Sequence, residues 1–140
     1  MTSDFRIPES PTTKGQAADD WEYFRGCNQN KRKKLLRHDF KFCLDDVGAG
    51  WEYVHFELDG KDVSSFRISY IGPGVKDFVE CATSLKEKEN IGFTFYDEPG
   101  EHTVFMSRRQ DKIYIELPYM DKGFFLRYGA FVKAVSEVLE

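Results

Sequence analysis

The chain has 140 residues, 41% hydrophobic and 16% aromatic, enough apolar mass for one core and hence a single domain over residues 1–140. Its formal charge of −4 divides unevenly: residues 1–40 hold 8 Lys/Arg and 6 Asp/Glu, a net of +2, and residues 41–140 hold 12 and 18, a net of −6. An acidic body disfavours a nucleic-acid reader, which needs surface cations to displace counterions, and favours a basic partner. No apolar run approaches the roughly 20 residues that cross a bilayer, and no signal segment opens the chain, so the sequence reads as soluble and cytoplasmic with no membrane partner.

From Met1 to about Ala18 the chain is polar, with Pro8, Pro11 and Gly15 and little apolar periodicity, and reads as an irregular or mobile tail over 1–18. Asp19 or Asp20 can cap a short helix that docks Trp21, Tyr23 and Phe24 on the body. Lys31, Arg32, Lys33, Lys34 and Arg37 follow, a basic run that reads as a solvated approach to the first strand. Phe40 to Leu44 alternates as a strand and ends in the turn-rich Asp45 to Gly50; Trp51 to Leu58 and Val63 to Ile71 are the next two strands. A two-residue Asp59-Gly60 turn between them would set Phe56 opposite Val63 and split the apolar stripes. A three-residue loop, Asp59 to Lys61 with Gly60 left-handed, instead pairs Phe56 with Ser64 and Val54 with Phe66, and aligns Leu58, Ile68 and Tyr70 with them. Gly72-Pro73-Gly74 breaks the strand, and Val75, Phe78, Val79, Ala82 and Leu85 recur at helical spacing, predicting a helix over about 74–88.

Ile91 to Leu117 predicts a three-stranded antiparallel meander. Apolar residues fall on odd positions up to Phe95 and on even positions from Val104, so a turn about Pro99-Gly100 sets Phe95 opposite Val104 and Phe93 opposite Met106. A second loop, Arg108 to Asp111, sets Met106 opposite Ile113 and Val104 opposite Ile115. One face then holds Phe93, Phe95, Val104, Met106, Ile113 and Ile115, expected to be buried together; the back face holds Thr94, Tyr96, Thr103, Phe105, Tyr114 and Glu116. After Pro118, the spacing of Phe124, Tyr128, Phe131, Val132, Val135, Val138 and Leu139 predicts a second main helix over about 122–139. Together these make a two-layer α+β chain, an antiparallel sheet of about six strands with both helices on one face.

The motifs of known chemistry are missing. Cys27, Cys43 and Cys81 are odd in number with no Cys-x-x-Cys pair, and read as reduced, mostly buried thiols rather than disulfides or zinc ligands. His38, His55 and His102 are isolated and have no partner at metal-ligand spacing on one element. There is no Gly-x-Ser-x-Gly, phosphate loop or dinucleotide fingerprint. Asp97, Glu98 and Glu101 cluster at a projecting hairpin tip, whereas an acid/base pair needs a dry concave setting to separate its pKa values. The sequence thus predicts no catalytic residue, no metal and no cofactor.

Ser69-Tyr70-Ile71, Pro73-Gly74, an amphipathic helix with Phe78, and Phe95-Tyr96-Asp97-Glu98-Pro99-Gly100-Glu101 leading into an apolar strand form an ordered set over about residues 51–118. In that order they resemble small bacterial proteins of polymorphic toxin systems, some of which are immunity proteins of contact-dependent growth inhibition. The resemblance implies a non-enzymatic cytoplasmic protein that binds and neutralises a cognate toxin domain, commonly a nuclease. It transfers no residue roles. For the partner surface, the registers put Tyr96, Phe105 and Tyr114 on the back face of the meander as aromatic anchors, with Asp97, Glu98 and Glu101 attracting a basic partner. That surface requires an open face; if Trp21, Tyr23 and Phe24 fold over it, it is core. Two alternatives stand beside this reading: a small enzyme with an unrecognised site, and an RNA-binding module using the 31–37 basic run.

Overall fold

The computed structural model describes residues 6–8, 11–48, 51–69, 74–97 and 100–139, with backbone alone over 6–8, 11–18 and 46–48. In chain order the elements are β1 (Arg6–Pro8), α1 (Pro11–Gly26), α2 (Gln29–Leu35), β2 (Phe40–Gly48), β3 (Trp51–Leu58), β4 (Lys61–Ser69), α3 (Val75–Thr83), β5 (Asn90–Tyr96), β6 (Glu101–Arg109), β7 (Lys112–Glu116), β8 (Phe124–Arg127), α4 (Tyr128–Ser136) and a final 3-10 turn, Glu137–Leu139. Every pairing is antiparallel, and the strands divide into two sheets ordered β1-β5-β6-β7-β8 and β2-β3-β4. The α+β class holds, but the single layer of about six strands with two helices on one face does not. Its failure begins at β5. Arg6, Ile7 and Pro8 pair with Phe93, Gly92 and Ile91, so β1 takes one edge of the meander and β8 the other, and β2-β3-β4 forms a sheet of its own. The segment 1–18, expected to be an irregular tail, therefore carries a sheet strand and the start of a helix, and Asp19 and Asp20 sit inside α1 rather than capping it. Among the described residues no helix is long and apolar enough to cross a membrane.

The meander keeps its predicted faces and shifts its register by two residues. Phe93 pairs with Val104, Ile91 with Met106, and Phe95 with His102. Tyr96 and Glu101 close the first hairpin, and the Asp97 N–H donates to the Gly100 carbonyl at 3.1 Å, so the turn is centred one residue earlier than Pro99-Gly100. The second hairpin tightens to a two-residue Gln110-Asp111 turn with Gln110 at φ +56°, which pairs Met106 with Ile115 rather than Ile113. A shift of two preserves parity, so Phe93, Phe95, Val104, Met106, Ile113 and Ile115 all enter one core, as expected.

The β3–β4 hairpin joins both of the weighed geometries. Leu58 pairs with Lys61 across a two-residue Asp59-Gly60 turn whose φ angles of +55° and +84° fit type I′. A bulge between the Phe56 and Glu57 pairs then restores Phe56 opposite Ser64 and Val54 opposite Phe66. Tyr70, Ile71, Gly72 and Pro73 lie outside the described residues, as do Ala49 and Gly50. Strand β2 runs on to Gly48, past the predicted turn at Asp45.

Both helices are shorter than their apolar spacing suggests. In α3 the Thr83 hydroxyl donates to the Val79 carbonyl at 2.8 Å and the Ser84 hydroxyl to that of Glu80 at 2.7 Å, side-chain competition that ends the helix at Thr83. Buried Tyr128 seals that end: its hydroxyl donates to the Ala82 carbonyl at 2.8 Å and accepts the Leu85 N–H at 3.2 Å. The start of the second predicted helix is strand β8 instead. Phe124 and Leu126 enter the main core and Phe125 the opposite one, a period of two. Gly123 precedes them because a Cβ there would collide with the Tyr114 ring and the Ile115 carbonyl.

Two cores result. The main one joins the inner faces of both sheets to α3 and α4, with Phe78 of α3 between Phe42 and Phe56 of one sheet and Phe93 and Phe95 of the other. The second holds Trp21, Phe24, Phe105, Tyr114 and Phe125, with Leu35 and Leu36 against it. Helix α2, begun by Asn28 accepting the Lys31 N–H at 2.9 Å, is tied to α1 through Arg32, whose guanidinium donates to the carbonyls of Phe24 at 3.3 Å and Arg25 at 2.6 Å. Lys31, Lys33 and Lys34 are exposed. Changing those three lysines to Gln is expected to leave the denaturation midpoint nearly unchanged. Arg32→Gln is expected to cost about 1 kcal/mol, since the last carbonyls of α1 lose a charged donor. Urea unfolding of the two variants measures the difference.

Candidate functional site

Tyr96, Asp97, Glu98, Glu101, Phe105 and Tyr114 do not share one surface. Phe105 and Tyr114 are each 1% exposed, closed over by α1. The Phe125 ring centroid is 5.0 Å from Trp21, 4.9 Å from Phe24 and 5.1 Å from Tyr114, and the Trp21 indole N–H donates to the Ser107 hydroxyl at 2.9 Å. The open back face that would make Phe105 and Tyr114 anchors is absent, and Tyr23, at 54% exposure, takes no part in its cover. Glu98 and Pro99 lie outside the described residues. Tyr96, Asp97 and Glu101 remain at the surface.

Parity already sets His102 on the core face with Val104; what the register shift adds at this turn is its place opposite Phe95, where it is 7% exposed. Its ring stacks on Phe66 of β4 at 4.3 Å and 16°. One nitrogen, Nε2, lies 3.0 Å from Asp97 Oδ2 and the other, Nδ1, 2.9 Å from the Tyr119 hydroxyl. The hydrogen bond from His102 holds the Asp97 carboxyl below its ordinary range, with Arg67 contributing. Arg67 in turn lies 4.2 Å over the Trp51 ring. The order Trp51, Arg67, Asp97, His102, Tyr119 thus leads from one sheet to the other, by direct contact except between Arg67 and Asp97, which are linked by charge alone. Tyr119 stands 73% exposed in a turn closed by the Met120 N–H on the Leu117 carbonyl at 3.3 Å. With Pro118 second and Tyr119 third at φ +71°, the turn has the pattern of type II, which favours glycine at that third place. Such hydroxyl–imidazole–carboxylate chains can relay a proton, yet this hydroxyl faces water rather than a dry cleft that would tune it.

Beyond Arg67 the row meets the outer face of the β2-β3-β4 sheet. Cys43 faces His55 directly across β2–β3, and Lys41 faces Glu57. His55 sits between two aspartates, Nε2 at 3.2 Å from Asp45 Oδ2 and Nδ1 at 3.6 Å from Asp62 Oδ2. The Cys43 thiol donates to Glu57 Oε2 at 3.8 Å; burial, then the Glu57 carboxylate, pushes the thiol up. Ligand atoms of Cys43, His55 and Glu57 all lie within 4.8 Å of one another, the one such group among the described residues. Only Cys81 of the three thiols is buried; Cys27 and Cys43 are partly exposed. Tyr53 is 38% exposed on this face, and no described element packs over it.

No protein-family model, curated protein or solved structure matches the chain.

Closure of the back face leaves one strained carboxylate. Burial pushes the Glu116 carboxyl up, opposed by the Tyr114 hydrogen bond and reinforced by Asp20, and Glu116 Oε2 is buried without a hydrogen-bond partner. The folded chain thus holds this proton more tightly than the unfolded chain does. Its contribution to stability is present below the unfolded glutamate value and is lost as pH rises through the folded one. Glu116→Gln removes the charge and keeps the shape. It is expected to raise the thermal midpoint at neutral pH, with the two midpoints converging in acid; parallel midpoints across that range would refute the assignment.

Proposed function

We propose that the chain is a non-enzymatic cytoplasmic protein that binds and neutralises a basic toxin domain, the role implied by its resemblance to immunity proteins. The supporting observation is the outer face of β2-β3-β4, over which no described element packs and whose Arg67 acts by its charge on Asp97 of the Asp97–His102–Tyr119 turn. Residues 41–69, which span this sheet, hold 6 Asp/Glu and 3 Lys/Arg, a net of −3, so the open sheet is acidic as well as aromatic. A nuclease fits that charge, because its substrate is polyanionic and its site basic. Tyr53 and Tyr119 serve as exposed anchors, with Asp97 and Glu101 steering approach.

Tyr119 tests the reading cleanly. Glycine at its positive φ relieves about 1–2 kcal/mol of backbone strain, set against roughly 0.5–1 kcal/mol for the entropic cost of glycine and about 0.5–1.5 kcal/mol for the lost hydrogen bond to His102. Tyr119→Gly is therefore expected to stay folded with a stability close to the parent's while dissociating faster, by on the order of 2 kcal/mol or about thirtyfold in Kd. Glu101→Lys is expected to slow association and flatten its salt dependence. The ligand for these kinetics is a candidate toxin domain, to be sought first in the product of the gene directly upstream. Unchanged rates in both variants would move the interface elsewhere, and no binding at all would overturn the reading.

A second reading is favoured by a cleft of about 510 Å³ where α1 and α2 meet the β6–β7 turn, lined by Arg25, Arg32, Lys88, Arg109 and Lys112 above Trp21. It gathers Arg32 of the 31–37 run with cations far away in sequence, which suits RNA phosphates. A labelled RNA should then shift with steep salt dependence and lose its shift in an Arg25→Gln, Arg32→Gln double variant; absence of any shift at low salt removes this reading.

A further inference from the structure

We propose that Cys43, Asp45, His55 and Glu57 form a four-ligand site for a divalent transition metal ion, zinc by its ligand chemistry, on the open face of β2 and β3. The placement comes from the ladder itself: Cys43 pairs with His55, Asp45 lies two residues along β2, and Glu57 two residues along β3, so all four side chains leave the same face. Soft thiolate, imidazole and carboxylate together are a donor set that zinc accepts, at about 2.3, 2.0–2.1 and 2.0–2.2 Å. A tetrahedron with those bonds has ligand-to-ligand edges of about 3.4–3.6 Å. Two edges are already close to this, 3.2 Å between His55 Nε2 and Asp45 Oδ2 and 3.8 Å between Cys43 Sγ and Glu57 Oε2; Cys43, His55 and Glu57 lie within 4.8 Å of one another, and Asp45, outside that group, swings in beside His55 to complete the tetrahedron.

The support around the ligands is also in place. Metal-bound histidines commonly give their second ring nitrogen to a carboxylate, which fixes tautomer and orientation. Asp62 of β4 is so placed, 3.6 Å from His55 Nδ1, and Ser65 donates to both of its carboxylate oxygens at 3.2 and 3.3 Å. Asp62 is thus a positioning residue rather than a ligand. Three anionic ligands around a dication leave one negative charge, and Lys41, paired with Glu57 across the ladder, faces it. The site needs neither the toxin partner nor the RNA cleft.

Cobalt(II) added to the reduced full-length chain tests the site by its spectrum. Stoichiometric cobalt is expected to give thiolate-to-cobalt charge-transfer absorption and the strong visible bands of tetrahedral coordination, both abolished by added zinc. Cys43→Ser is expected to remove the charge-transfer band, whereas Cys27→Ser retains it. Asp62→Asn is expected to keep the spectrum and weaken affinity about 10- to 100-fold. His55→Ala, its fold checked by circular dichroism, should lose tight binding. A folded parent that shows no charge-transfer band at saturating cobalt, or a band that survives in Cys43→Ser, overturns the proposal.

Discussion

The constraint on which the structure depends is that strand β6 must be buried on both of its faces. Val104 and Met106 are 0% exposed on one side, Phe105 is 1% and Ser107 0% exposed on the other. A sheet with two apolar faces needs two covers, and the chain supplies each from a different place. Helices α1 and α2 close one side with Trp21 and Phe24; the β2-β3-β4 sheet, α3 and α4 close the other. Since the smaller sheet spends its inner face as a cover, its outer face has no apolar demand left to meet. Cysteine, histidine, aspartate and tyrosine can stand there because that face is not needed for the core.

Parity was legible in the sequence and register was not. A strand's alternation states which residues share a face, so the six front-face residues of the meander could be assigned from spacing alone. Spacing does not fix which residue of one strand opposes which of the next, because registers two residues apart bury the same stripe. The turn decides, and it placed His102 rather than Val104 opposite Phe95. That one difference sets a histidine that looks isolated in the sequence at the centre of the Asp97–His102–Tyr119 chain. Strand β8 was hidden by a related ambiguity: Phe124-Phe125-Leu126 is apolar at every position, and only two separate cores reveal its period of two. The tail failed for another reason, since β1 is three residues long, too short to carry an apolar period, and is recognised only by its pairing with the edge of β5.

The same limit hid the ligands. Cys43 and His55 look unrelated when one asks for metal spacing within a single element, yet in a ladder the relevant distance is across strands. All three histidines show this: His38 meets Asp59 at 2.7 Å, His55 meets Asp45 at 3.2 Å, and His102 meets Asp97 at 3.0 Å. The first joins the segment before β2 to the β3–β4 turn, the second crosses from β2 to β3, and the third spans a hairpin. None depends on sequence spacing that a motif search reads, and each follows once the registers are known.

Tyr119 shows how local strain and surface chemistry meet. A non-glycine residue at φ +71° persists only where its surroundings over-determine it, and here the surroundings are few: the Pro118 turn and one hydrogen bond to His102. Burial does not hold it, since the residue is 73% exposed. The hydrogen bond fixes the phenol's direction, and His102 is itself fixed by Phe66 below and Asp97 beside it. An aromatic ring held rigid at the surface loses little side-chain entropy when a partner covers it, which is the advantage of a pre-organised anchor over a mobile one. The strained backbone thus makes physical sense as a device for presenting a side chain, whereas for the backbone conformation alone a glycine would serve better at this position.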